Sequence, residues 1–71
     1  MALKNHFLVE DYPMMIDEID NLHHTFIKIL NSVENADFTT KEEQLSKLNH
    51  SLVVLQALHK KKILRERANL W

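Results

Sequence analysis

The chain has 71 residues, 45% of them hydrophobic and 27% charged, with a formal net charge of −1, no cysteine, no glycine and a single proline. That length leaves room for one domain, the composition is too apolar for a disordered segment, and no disulfide can form. Near-neutral charge gives no overall bias toward nucleic acid, and no apolar run approaches the roughly 20 residues needed to cross a bilayer.

Two physical consequences follow. A domain this small buries only about 60% of the surface its unfolded chain exposes, so without cysteine its added support must come from an oligomeric interface or a metal. Without glycine, backbone at positive φ is disfavoured, which argues against tight β-hairpin turns and phosphate-cradling loops and points to an all-α fold.

Residues 1–10 form an arm in which Phe7, Leu8 and Val9 are apolar and should pack, in a conformation that the pattern does not specify. Lys4, Asn5 and His6, followed by acids, do not suit a secretory leader, so a cytoplasmic protein is expected. From Tyr12 the apolar residues Tyr12, Met15, Ile19, Leu22, Phe26, Ile29 and Val33 recur at alternating spacings of three and four, the a/d seam of a heptad, with Ile16 and Leu30 widening one flank. Pro13 is tolerated only in a first turn. The spacing therefore predicts a helix over 11–34, with Asp11 as its cap.

Asn35, Ala36, Asp37 and Phe38 connect it to a second helix over 40–67, which Thr39/Glu42 and Thr40/Glu43 introduce as overlapping capping boxes. The short connection predicts an antiparallel hairpin, one domain over 1–71. Glu10, Asp11, Asp17, Glu18 and Asp20 then lie alongside Lys60, Lys61, Lys62, Arg65 and Arg67, and each set suits its helix dipole. Leu45, Leu48, Leu52, Leu55 and His59 continue the heptad spacing. The stretch Leu52, Val53, Val54, Leu55 and Leu58 is apolar nearly all round, more than one neighbouring helix can cover. Those five residues are the expected self-association surface, and a homodimeric four-helix bundle is the expected assembly.

Five histidines, His6, His23, His24, His50 and His59, raise the question of a metal. Ile19-Asp20-Asn21-Leu22-His23, followed by Phe26-Ile27 and Ile29-Leu30-Asn31, resembles the first helix of the bacterial hemerythrins. The resemblance covers about a quarter of the chain. It implies a four-helix bundle holding two non-haem irons that bind oxygen, with His23 as a ligand. That family's second helix carries a histidine and, four residues on, a bridging glutamate; four residues after His59 stands Ile63, and four after His50 stands Val54. His23 and His59 are the candidate metal residues. In a hairpin turning near Asp37 they are offset by roughly 12 Å along the axis at 1.5 Å per residue, so only a two-fold dimer brings copies of them together.

Asp17, Glu18 and Asp20 read as a solvated, dipole-favourable face rather than as an acid/base set, since a two-helix chain offers little concavity in which to tune a pKa. The basic run Lys60, Lys61, Lys62, Arg65 and Arg67 could hold a nucleic acid or another anion, but it lacks interleaved aromatics and has acids across the hairpin to neutralise it. Leu70 and Trp71 suggest an interface anchor. The expectation is a non-enzymatic protein–protein interaction module, homo-oligomeric and without cofactor, that binds neither membrane nor nucleic acid. The alternatives are a reduced hemerythrin-like iron and oxygen binder and a nucleic-acid binder.

Overall fold

The computed structural model describes residues 2–69; Leu70 and Trp71, the expected anchor, lie outside them. Two helices form an antiparallel hairpin, α1 (Tyr12–Glu34) and α2 (Lys41–Asn69), preceded by two short 3₁₀ turns, Ala2–His6 and Val9–Asp11. Pro13 sits in the first turn of α1, where its missing N–H leaves no intrahelical bond unmade. Asp11 occupies the capping position without a side-chain capping bond. Its carboxylate instead turns inward and is buried.

The connection substitutes for glycine in an instructive way. Ala36 takes φ 51°, the left-handed conformation that usually calls for glycine. The Asp37 N–H donates to the Ser32 carbonyl at 2.8 Å and the Ala36 N–H to the Val33 carbonyl at 3.0 Å. This pair of bonds is a Schellman closure, which satisfies the last carbonyls of α1. Asp37 then receives both the Thr39 amide (3.1 Å) and the Thr39 hydroxyl (2.7 Å) on one carboxylate oxygen. Those bonds hold the Asp37 carboxyl below its ordinary range. Thr39 thus ties the turn to the start of α2 through Asp37.

The arm folds back over the open end of the hairpin. Phe7 is buried with Met15 and Leu58, and Leu3, Tyr12, Ile19, Val54 and Leu55 pack around them. The Tyr12 hydroxyl donates to the Lys4 carbonyl at 3.1 Å, and His59 Nδ1–H donates to the His6 carbonyl at 2.8 Å. Across the same end Lys61 meets Asp11 and Arg65 meets Glu10, the antiparallel charge pairing expected from the sequence.

The strip along which α1 and α2 touch is not the expected one. Met15 and Thr25 are buried in α1, with Asp11 buried just before it, and Gln44, Ser51 and Leu58 are buried in α2. Leu22, Ile29 and Ser32 are half-buried along the same strip. Phe26 and Val33, expected at the seam, are 55% and 54% exposed, and Leu45 and Leu52 are 57% and 56% exposed. The helices meet through short and polar side chains, which lets them approach while most of the large apolar groups face elsewhere.

Size confirms how little is enclosed. The radius of gyration is 15.5 Å, against about 11 Å for a compact domain of this length. The chain exposes 5726 Å², where a folded monomer of 8.4 kDa exposes about 4,600 Å².

Candidate interaction face

At 3.6 residues per turn, each helix can be read around its circumference. In α1, Ile16, Ile19, Phe26, Leu30 and Val33 lie to one side of the strip that touches α2. In α2, Leu45, Leu48, Leu52 and Ile63 lie to one side of theirs. Because the helices run antiparallel, a forward rotation away from the strip leads to the same flank on both. Ile16, Phe26, Leu30, Val33, Leu45, Leu52 and Ile63 are all exposed there. One flank of the hairpin therefore carries large exposed apolar side chains from both helices. At the arm end it deepens into a recess of about 260 Å³ lined by Leu3, Met15, Ile16 and Ile19, with Lys4 and Asp20 at its edge.

The opposite flank has the contrary chemistry. A groove of about 520 Å³ runs between the helices, lined by Asn21, His24, Thr25 and Lys28 of α1 and by Ser46, Lys47, His50 and Ser51 of α2. No large apolar side chain takes part.

The structure divides the five residues expected to mediate self-association. Leu58 is buried in the intrachain core, and Val54 and Leu55 are packed against it. Leu52 belongs to the apolar face. Val53 is exposed, on the outer side of α2, away from both the strip and the face. What the sequence reading missed is the α1 half of the face, above all Phe26, Leu30 and Val33. Heptad spacing puts Phe26 and Val33 at the seam and Leu30 on its flank, so periodicity alone does not separate the face from the strip.

Of the candidate metal residues, His23 stands edge-on to His24 with ring centroids 6.5 Å apart, while His59 is held at the arm between His6 and Phe7, 5.6 and 6.1 Å from their ring centres. The hairpin does not bring the two together. Among the described residues no three His, Asp or Glu side chains converge. Of the basic run, Lys61 pairs with Asp11, Arg65 with Glu10 and Lys62 with Glu66, while Lys60 and Arg67 are exposed. Among the described residues no helix is long and apolar enough to cross a membrane.

No protein-family model, curated protein or solved structure matches the chain. Function is read from the surface alone.

Proposed function

We propose that this chain is a self-associating helical module, non-enzymatic in itself, in which two hairpins pair through their apolar faces into a four-helix bundle. The observation that carries the reading is the angular offset between where α1 is greasy and where it touches α2. At 3.6 residues per turn, the centre of the apolar stripe of α1 stands roughly 60° from the strip in contact with α2. On α2, which is apolar nearly all round, Leu45, Leu52 and Ile63 are exposed on the matching flank. A helix in a four-membered bundle has two neighbours at about a right angle to each other, so its apolar stripe points between them, about 45° from either. A helix that served only a hairpin would centre its stripe on its single partner.

The areas agree. The chain exposes roughly 1,100 Å² more than a folded monomer of its mass does, and a stable dimer of standard size covers about 800 Å² per partner. A second copy is the partner that the face fits, because one flank is apolar along both helices and can lie against its own symmetry mate.

Sedimentation equilibrium between about 1 and 100 μM tests it: a particle of twice the chain mass is expected, with a melting temperature that rises with concentration. A well-folded monomer at the upper end of that range, with no concentration dependence in its melting, would overturn the reading.

A further inference from the structure

The polar groove on the other flank is left open when the apolar faces pair, and its side-chain inventory is selective. Lys28 and Lys47 stand on opposite walls, one from each helix. Thr25 and Ser51, each more than nine-tenths buried, belong to its lining together with Ser46, Asn21, His24 and His50. The two ammonium groups, the hydroxyls and the Asn21 amide can all donate hydrogen bonds, and the lysines bring positive charge. No carboxylate lines the groove, although ten acids are distributed over the chain. The acid that comes nearest in bonding is Glu43, whose carboxylate is 3.2 Å from the Lys47 ammonium. Both side chains are largely exposed, so the pair is weak and Lys47 can exchange it for a better acceptor.

We propose that this groove binds the dianionic phosphate of a small phosphorylated molecule, one per chain. Two ammonium groups match two negative charges. Several short hydroxyl and amide donors match the multiple acceptor oxygens of a tetrahedral phosphate, whereas a planar carboxylate is more often gripped by the fork of an arginine, and none lines the groove. The volume lies within the range of small-molecule sites. A nucleic-acid strand is disfavoured, because the lining has no Phe, Tyr or Trp on which successive bases could stack. His24 already donates its Nδ1–H to the Asp20 carbonyl at 2.8 Å, so the lysines, hydroxyls and Asn21 carry the recognition.

Amide chemical shifts of the intact chain at pH 7.5, titrated with inorganic phosphate, phenyl phosphate and benzenesulfonate, test the proposal. Both phosphates should saturate at one per chain, with shifts confined to residues 21–28 and 46–51, and the monoanionic sulfonate should bind at least tenfold more weakly. Lys28→Gln with Lys47→Gln should weaken phenyl phosphate at least tenfold, while Lys60→Gln, away from the groove, changes nothing. Both groove lysines are exposed, so the fold tolerates their loss; Ser51→Ala, checked by circular dichroism, provides a second variant that should weaken binding a few-fold. Shifts spread over all lysines, equal response to the sulfonate, or binding unaltered in the double variant would overturn it. Preferential binding of single-stranded DNA through the same residues would replace the small ligand with a polymer. The outcome is independent of self-association, since a monomer presents the same groove.

Discussion

Lys61 reaches across the open end of the hairpin and places its ammonium 3.1 Å from the Asp11 carboxylate, whose side chain is only 11% exposed. The second oxygen of that carboxylate is buried without a hydrogen-bond partner. Lys61 is therefore the group that compensates a buried charge. Lys61→Met should destabilise the fold by about 1–2 kcal/mol, chiefly by stranding the carboxylate. Adding Asp11→Asn should restore much of the loss. Arg65→Met, which removes a pair exposed on both sides, should cost no more than about 0.5 kcal/mol. Urea titrations of the three variants beside the parent chain give the comparison, and equal losses for Lys61→Met and Arg65→Met would contradict it.

Ala36 pays for the absence of glycine. A left-handed Cβ-bearing residue costs about 1 kcal/mol relative to glycine at such a C-terminal closure. Glycine also gains freedom in the unfolded chain, which offsets part of that difference. Ala36→Gly should therefore stabilise by about 0.5–1 kcal/mol, and Ala36→Val should destabilise because its branched side chain crowds the same backbone. Thermal unfolding at matched concentrations reads both, and a destabilised Ala36→Gly would rule out the strained closure.

The hairpin, its charge pairing and its turn position were all legible in the sequence, because heptad spacing, proline placement and segregated charges act over one or two turns. The rotation of each helix was not. Met15, Leu22 and Ile29 lie both in the expected seam and on the observed strip, and Tyr12 and Ile19 still pack at the arm end, but Phe26 and Val33 trade places with Thr25 and Ser32. Hydrophobic periodicity reports the direction in which a helix is apolar. It does not report which of two neighbours belongs to the same chain. Thr25, Ser51 and Gln44 look like surface residues for the same reason: small and polar side chains at a close helix contact leave no apolar signal. The groove that Thr25 and Ser51 help to line was illegible too, since its walls come from two separate helices.

The turn carries a pH signature of defined sign. Bonds from Thr39 hold the Asp37 carboxyl below its ordinary value. A depressed folded-state pKa stabilises the fold above the unfolded value, and that contribution is lost as pH falls through the folded one. Thr39→Val removes the hydroxyl bond, the larger of the two causes. The Asp37 titration, followed by carboxyl carbon shifts, should then move upward toward the ordinary range, and the variant should lose less stability on acidification across that window. An unmoved titration would mean that the hydroxyl does not hold the carboxylate in solution.

The two apolar regions of α2 give opposite expectations under substitution, which makes the assembly geometry testable residue by residue. Phe26→Lys or Leu52→Lys places a charge in the middle of the apolar flank. Both residues are more than half exposed in the single chain, so the main effect falls on the contact between chains, where an unpaired buried charge costs several kcal/mol. Each should shift the sedimenting species toward single-chain mass and abolish the concentration dependence of melting. Val53→Lys, on the outer side of α2, should leave the dimer intact. Leu58→Ala should behave differently again, destabilising by about 2–4 kcal/mol through a cavity within each chain while pairing persists in the molecules that remain folded. Should Val53→Lys dissociate the assembly and Phe26→Lys spare it, the hairpins would be pairing back to back, with the Phe26–Leu52 flank left to water.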